Sequence, residues 1–374
     1  MKLKKSSSSK FWPMQGKIHS EYEVTYDPFL IFVRHGKGRP SSADLFLKEF
    51  VIDFNQLISE GLTINEVHLE VKCHCFINDR PARAFLEKII GHTGFFNRGR
   101  CFIAGCKPGS TAIFPYEECA PRTMLSFLLE VNSSHHRGTP SSRAIRPYPP
   151  SERPLDLIKS FILDFMHLGP LSNMKHLLLY WTTACGLKIP QQDIKRISKR
   201  MENTSKQIPE EFQRSTKSLE NSPFYKATEY RFILLYSGSL LLKDILPEEM
   251  YKHFLLSSVA WRIISCDELI QKCMPLAKVY LKRCTHLYPE VKGEDSETLY
   301  AISLMHVADD VEEMGCNISF LTAFPSENNF KEVKSGLRSV YKPLQQLCTQ
   351  FKCGLKNYKG PKIYKDEVFL SKKT

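Results

Sequence analysis

Residues 67–90 read VHLEVKCHCFINDRPARAFLEKII, a run in which a strand-like pattern changes to a helical one. Apolar residues and cysteines alternate with polar residues up to Cys75, which predicts a β-strand over 67–77. Pro81 suits the first turn of a helix, because the N–H group that proline lacks has no helical partner there. The run therefore predicts a strand that ends at Asp79 and is followed directly by a helix.

Asp79 has two interpretations at this junction. A carboxylate at the C-terminal end of a buried strand projects from the edge of the sheet, where a metal ion or a substrate can reach it. An aspartate in the same place also caps a helix, because its side chain accepts hydrogen bonds from first-turn N–H groups. The residues by themselves leave both interpretations open.

On the N-terminal side, the pattern predicts two strands and a long helix. The strands are expected at 11–18 and 28–35, where β-rich apolar residues cluster. A helix is expected to carry the apolar residues from Leu47 to Ile58, which repeat at helical spacing, and to end at Gly61.

On the C-terminal side, residues 154–168 predict a further strand that contains Asp164 and His167, and residues 171–185 predict a helix. Helical periodicity then dominates to about residue 300, with neither strand alternation nor an internal repeat. This block is interpreted as an insertion into an α/β core.

The net charge of +12 comes mainly from the two ends of the chain. Residues 1–17 carry five lysines and no acidic residue, and residues 351–374 carry seven lysines against Asp366 and Glu367. Basic ends of this kind attract a polyanion such as DNA without reading its sequence. The alternative is that they are only solvated tails.

Composition also argues against a membrane partner and a secreted protein. No run approaches the roughly 18 to 20 apolar residues that a bilayer span needs, and the basic, Ser-rich N-terminus lacks the apolar stretch of a secretory signal. Twelve cysteines are present without a C-x-x-C pair. We therefore expect reduced thiols in a nuclear or, failing that, a cytoplasmic protein.

Six motifs follow one another along the chain: FWP, CFINDRPARAFLEKIIGHTGF, SFILDFMHLGPLSNMKHLLLYW, KATEYRFILLYSG, HVADDVEEMG and FLTAFPSENNFKEVKSGLR. In this order they resemble the catalytic region of CACTA-type (En/Spm-like) DNA transposases and their relatives in animal genomes. The resemblance implies an α/β fold in which a ribonuclease-H-like core is interrupted by a mostly helical insertion. The first part of the core is expected at 1–187, the insertion at 188–304, the completion of the core at 305–350 and a basic tail at 351–374.

The resemblance also implies a metal site formed by two aspartates and one glutamate. Displacement at a DNA phosphate uses two Mg²⁺ ions about 4 Å apart, and Mg²⁺ prefers carboxylate oxygens. Asp79 matches the second carboxylate, and Glu327, which opens the last core helix, matches the third. Asp164 and His167 match the D-x-x-H element of the family. In the alternative assignment, Asp164 binds the metal and Asp79 only caps its helix.

The first carboxylate of the family lies in a segment that reads roughly Asp-Gly-Leu-Pro, just before a lysine- and serine-rich turn. Met1 falls inside that turn, so the expectation is an N-terminally truncated, transposase-derived protein that does not cut DNA. It is expected to bind DNA weakly and without sequence selectivity, and a homo-oligomer is a further candidate. Two alternatives remain open: a host-recruited nuclear module that binds DNA or protein, and an active Mg²⁺-dependent strand-transferase in which a residue such as Asp27 replaces the missing carboxylate.

A zinc site is the remaining candidate. After the His-Thr-Gly of residues 92–94 the family carries a C-x-x-C knuckle, where this chain has Arg98 and Cys101. Structural zinc is held by four nitrogen or sulfur ligands. The candidate ligands are His92, Cys101, Cys106 and His136, with His135 as the alternative to His136. The competing interpretation is that these residues are ordinary thiols and histidines.

Overall fold

The structure is a computed structural model of the 374-residue chain. It describes residues 9–19, 26–91, 93–107, 112–118, 120–137, 156–183, 189–205, 207–208, 217–339 and 341–356. The zinc candidate His92 and the predicted basic tail from residue 357 onward lie outside the described residues.

The protein is a mixed α/β structure, 58% helical, whose described strands form two small antiparallel sheets. The first sheet pairs β1 (Ser9–Gly16) with β2 (Phe29–Lys37), and the second pairs β3 (Leu62–Ile64) with β4 (Val67–Leu69). The predicted α/β class is thus confirmed, whereas the ribonuclease-H-like core remains a prediction.

The helices account for most of the described chain. In order, the α-helices are α1 (Ala43–Glu60), α2 (Arg80–Leu86), α3 (Met124–Leu128), α4 (Leu157–Ser160), α5 (Phe165–Leu168), α6 (Lys175–Thr182), α7 (Gln191–Ser205), α8 (Ala227–Phe232), α9 (Gly238–Leu241), α10 (Glu248–Ile263), α11 (Asp267–His286), α12 (Tyr288–Lys292), α13 (Leu299–Ser303), α14 (Val307–Met314), α15 (Phe324–Ser335) and α16 (Pro343–Lys356). Short 3-10 turns lie at Ser133–His135, Leu219–Phe224, Glu294–Ser296 and Leu304–His306, and π-helical turns at Gly169–Met174 and Ile233–Ser237. Among the residues that the structure describes, no helix combines the length and the apolar composition of a bilayer span.

The chain divides into two compact units. The first unit consists of Met1–Phe46 and Ala323–Thr374, and the second of Leu47–Thr322.

The first unit is built on the β1–β2 hairpin. The strands pair antiparallel with Phe11 opposite His35, and the register shifts between Met14 and Gln15. Phe11 packs edge-to-face on Phe330 of α15, with ring centroids 5.9 Å apart, and Leu347 of α16 completes this buried cluster. One face of the hairpin and two helices therefore share a small apolar core.

The second unit has a helical core rich in aromatic residues. Phe165 lies against Trp261, with ring centroids 5.2 Å apart, and Trp181 lies edge-on to Phe254 at 6.0 Å. All four side chains are at most 1% exposed. The predicted helical character of residues 188–304 agrees with helices α7 to α13 in the part of that range that the structure describes.

Two predicted strands take a different form. In the first, only Val67–Leu69 is a strand, its residues are exposed, and the chain continues without regular structure to a single bridge at Phe76. The second, at 154–168, is instead α4, a bridge at Phe161, and α5. The reason is local: Asp156 and Asp164 each accept hydrogen bonds from the N–H groups two and three residues ahead, which starts a helical turn at both places.

Candidate functional site

Two of the motif segments lie side by side in the second unit. Phe76 and Phe161 form a parallel bridge, in which the Phe76 N–H donates to the Ser160 carbonyl at 2.7 Å. Their rings stack with centroids 5.0 Å apart and an interplanar angle of 27°. Asp79 and Asp164 each follow the bridge by three residues, so both aspartates leave the same end of this parallel pair.

Asp79 caps helix α2 in the structure. Its Oδ1 accepts a hydrogen bond from the Ala82 N–H at 2.8 Å, and Pro81 occupies the first turn. Asp79 is exposed, and its other carboxylate oxygen has no hydrogen bond to the described residues. The cap therefore leaves one oxygen available to a ligand, so capping and ligand binding are compatible at this residue.

Asp164 has a different environment, because it is buried and its oxygens are engaged. Oδ1 accepts from the Met166 N–H at 3.2 Å, and Oδ2 accepts from the His167 N–H at 3.3 Å. Oδ2 also contacts Nδ1 of the His167 ring. The D-x-x-H element thus works as a cap that orients an imidazole.

Glu327 lies in the first unit, in the first turn of α15, where it is exposed. The start of this helix is fixed to β1 by Gln15, whose Nε2 donates to the Ser326 carbonyl at 3.0 Å and whose Oε1 accepts from Asn329 at 2.7 Å. The hairpin therefore positions the turn that carries Glu327. Asp79 and Glu327 belong to different units, and their shared binding of Mg²⁺ stays a prediction.

A pocket of about 70 Å³ opens beside helix α2 in the second unit. We call it the arginine pocket, and its lining includes Arg80, Arg83, Arg98, Arg100, Tyr300 and His306. Asp164 and His167 also face it, so the pocket adjoins the end of the parallel pair.

Arg83 and Arg100 each form an ion pair with a buried carboxylate. Arg83 contacts Glu87 at 2.5 Å within α2, and Arg100 contacts Asp310. Burial raises the pKa of both carboxyl groups, whereas the neighbouring arginines lower it. Arg100 also donates to the Phe161 carbonyl at 3.1 Å. The second pair thus fixes the segment that carries Asp164.

Arg80 donates its hydrogen bonds to neutral partners. Its Nη2 donates to the Leu299 carbonyl at 3.2 Å and to Ser303 Oγ at 2.7 Å, and its guanidinium lies 4.5 Å from the centre of the Tyr300 ring. Burial lowers the pKa of Arg80 to about 10, and the positive charges of Arg83 and Arg98 act in the same direction.

The zinc candidates are spread over several bridges. Cys101 is buried and pairs with Pro121, whereas Cys106 is exposed and pairs with Ile113. His136 packs on Phe127, with ring centroids 4.8 Å apart. Within the described residues no three His, Cys, Asp or Glu side chains converge in the manner of a metal site. With His92 outside those residues, the zinc site stays a prediction.

The arginine pocket was not predicted from the sequence. A signal was present, because Arg80 and Arg83 recur at helical spacing after the strand-like run and Arg98 and Arg100 follow within one loop. Asp310 lies in the quoted HVADD motif, but its burial and its pairing with Arg100 depend on contacts between distant parts of the chain. Comparison with family models, curated proteins and solved structures finds no match to this chain.

Proposed function

We propose that this chain is a DNA-binding protein derived from a cut-and-paste transposase, with a ribonuclease-H-like core and a helical insertion. The observation that carries the proposal is the parallel bridge between Phe76 and Phe161. It joins two of the motifs on which the resemblance rests, and it directs Asp79 and Asp164 to one end of the pair.

Parallel pairing supports an α/β core because it requires a long connection. An antiparallel pair can close with a two-residue turn, whereas parallel segments need a crossover, usually through a helix. In its described part, the crossover from Phe76 to Phe161 contains α2, α3 and α4. It follows an antiparallel hairpin and a long helix, β1–β2 and α1, so hairpin, helix and parallel crossover occur in one chain.

The three candidate carboxylates differ in how well they suit an ancestral Mg²⁺ site. Asp79 and Glu327 are both exposed and offer the hard oxygen ligands that Mg²⁺ prefers. Asp164 fits less well, because both of its oxygens already accept hydrogen bonds from the protein. When bound, Mg²⁺ would polarise a DNA phosphate. We therefore favour Asp79 and Glu327 as ligands and assign Asp164 to positioning His167.

The matched motifs supply two of the three carboxylates that the resemblance implies. Mg²⁺ demands near-octahedral coordination and gives up its waters reluctantly. Small misplacements of reacting groups also cost on the order of a hundredfold in rate. We therefore propose that the 374-residue chain binds DNA and does not cut it.

A combined binding and nicking assay tests both parts of the proposal. The full chain is incubated with supercoiled plasmid in Mg²⁺ or Mn²⁺, alongside Glu327→Gln and Asp79→Asn variants. We expect all three proteins to shift DNA in a gel and none to nick it. Nicking by the unaltered chain that disappears in the Glu327→Gln variant would show an active nuclease. Absence of DNA binding at low salt would contradict the proposed function itself.

A further inference from the structure

The arginine pocket concentrates positive charge in a partly enclosed space. The described residues around it place four guanidinium groups against three buried carboxylates, those of Glu87, Asp164 and Asp310. Arginine is charged at any physiological pH. Among the described residues that line the pocket, guanidinium groups therefore outnumber carboxylates.

The hydrogen-bond donors in the arginine pocket indicate that its ligand is an oxyanion. A guanidinium carries five N–H donors in a planar fork, and within the described part of the chain Arg80 donates to protein acceptors from Nη2 alone. Nε2 of His306 is buried without a hydrogen bond to the described residues. Asp164 also faces the pocket, but its oxygens already accept from Met166 and His167.

The size of the pocket limits the ligand. A volume of about 70 Å³ corresponds to roughly five to seven water molecules, at about 10–15 Å³ for each. This space suits one tetrahedral oxyanion and excludes a base with its sugar. A phosphate inside a strand carries nucleotides on both sides, whereas a terminal phosphate carries one on one side only, which is what a concave pocket admits.

We propose that the arginine pocket binds the terminal phosphate of a DNA strand. Arg80 forms the centre of the site, with its plane set by the Tyr300 ring and by Leu299 and Ser303 of helix α13. His306, whose Nδ1 lies 3.9 Å from Asp309 Oδ2, adds an Nε2 donor when its ring is protonated. The inference rests on the proposed DNA-binding function, and it adds a preferred substrate: a strand end that carries phosphate.

The experiment compares two duplexes of identical sequence, one with and one without 5′-phosphates, at constant ionic strength. Inorganic phosphate serves as the small probe, with its effect on the thermal midpoint measured against chloride. The proteins are the full chain, Arg80→Gln, His306→Phe and the control Arg196→Gln, which removes a half-exposed arginine paired with Asp193 on α7. Circular dichroism identifies any variant that does not fold.

We expect the full chain and the Arg196→Gln variant to prefer the phosphorylated duplex by roughly tenfold, since charged hydrogen bonds to phosphate are strong. Arg80→Gln should bind both duplexes equally. If Arg80→Gln fails to fold, the same loss in His306→Phe supports the site. Equal binding of the two duplexes by the full chain, or a preference that survives in a folded Arg80→Gln variant, overturns the proposal.

This experiment distinguishes failure of the proposed end-binding pocket from failure of the proposed DNA-binding function. Binding of both duplexes without preference refutes the end-binding pocket and leaves the proposed DNA-binding function standing. Stabilisation by inorganic phosphate that depends on Arg80, with no binding of either duplex, refutes the DNA function and the DNA end as ligand.

Discussion

Arg100 and Asp310 form one of two ion pairs at the pocket whose side chains are largely withdrawn from water. Their side chains are 11% and 4% exposed. Asp310 Oδ2 also accepts from the Leu163 N–H at 2.7 Å, and Arg100 donates to the Phe161 carbonyl. One residue pair therefore joins three separate stretches of chain. Each of its two charges is stabilised by the other, because a buried charge without its partner is costly.

Replacing Arg100 with methionine should destabilise the protein by about 3–5 kcal/mol, because the Asp310 carboxylate then stays buried without compensation. The double variant Arg100→Met with Asp310→Leu should recover part of this loss, since it removes both charges. Urea unfolding followed by circular dichroism measures both. A double variant as unstable as the single one would show that the pair matters through packing and not through charge.

Asp79 allows a test that separates its capping role from metal binding. Asparagine caps a helix about as well as aspartate, whereas alanine loses the cap and costs about 1 kcal/mol. We expect Asp79→Asn to keep the stability of the parent and Asp79→Ala to lose about that amount in urea unfolding. Mg²⁺ binding, followed by calorimetry, should weaken equally in both variants if the carboxylate is a ligand. Unchanged Mg²⁺ binding in both would leave Asp79 as a cap alone.

His253 predicts how stability depends on pH. It is 1% exposed and donates from Nε2 to the Cys284 carbonyl at 2.9 Å. Burial lowers its pKa from 6.5 to about 4. His253 therefore binds a proton below about pH 6.5 in the unfolded chain, but only below about pH 4 in the folded protein. The free energy of unfolding must fall as the pH falls through this window.

For His253 alone, the loss between pH 7 and pH 5 is about 2 kcal/mol, at 1.36 kcal/mol for each pKa unit. His135, whose pKa burial lowers to about 3, acts in the same direction. Urea unfolding at several pH values should therefore show a shallower slope for His253→Gln than for the parent. The same slope in both proteins would mean that His253 is not neutral in the folded state.

Among the elements, helices α8 and α9 are joined by the π-helical turn Ile233–Ser237, and Gly238 directly follows it as the first residue of α9. A β-carbon there would lie 2.5 Å from the Ile233 carbonyl oxygen and 2.5 Å from the Phe254 ring. The absence of a side chain at Gly238 therefore allows α10 to pack closely against this turn.

Gly238→Ala should destabilise the protein by about 1–3 kcal/mol, because overpacking outweighs the better helix propensity of alanine. The matched control is Gly91→Ala, where a β-carbon meets no atom within 4 Å. That change should alter stability little. Thermal unfolding of the two variants gives the comparison, and equal midpoints would contradict the predicted clash.

The sequence predicted the elements whose patterns are long and periodic. Strands β1 and β2 and helix α1 occur close to their predicted positions, and α10 and α11 lie within the block that was predicted to be helical. The strand predicted at 154–168 was wrong for a physical reason: most apolar residues in its described part, 156–168, are buried, and a short apolar run does not distinguish a buried strand from buried helical turns. Local caps at Asp156 and Asp164 decided the outcome.

At the scale of the whole molecule, the candidate site was predicted only in part. Asp79 was singled out because it stands at a predicted strand–helix junction, and Asp164 because it belongs to the D-x-x-H element of the resemblance. The arginine pocket was not, because Arg80 gains its partners Leu299 and Ser303 more than 200 residues away in sequence. Periodicity describes a helix face but not the distant segment that covers it.

Charge at the ends of the chain makes a prediction for the molecule as a whole. Residues 357–374 carry five lysines against Asp366 and Glu367, and α16 ends before them. Their deletion should weaken DNA binding and flatten its dependence on salt, by up to about 0.9 in the log–log slope for each DNA phosphate that these lysines neutralise.

The control for this deletion keeps the tail at full length and replaces its lysines with glutamine. Fluorescence anisotropy at several salt concentrations should give the same weakened, flatter curve for both proteins. Tight, sequence-selective binding that salt hardly affects would contradict the view that phosphate neutralisation dominates.

The hydrogen bonds and ion pairs around the arginine pocket also determine how early the protein can fold during its synthesis. Arg80 contacts Ser303, and Arg100 and Leu163 both contact Asp310. The Phe165 N–H donates to the Leu321 carbonyl. While the ribosome extends the chain, the N-terminal residue of each of these contacts is synthesised long before the residue that it contacts. The second unit therefore cannot complete its interior until nearly all of it has been translated. We expect slow folding with a long exposure of apolar surface, and a need for chaperones during that interval.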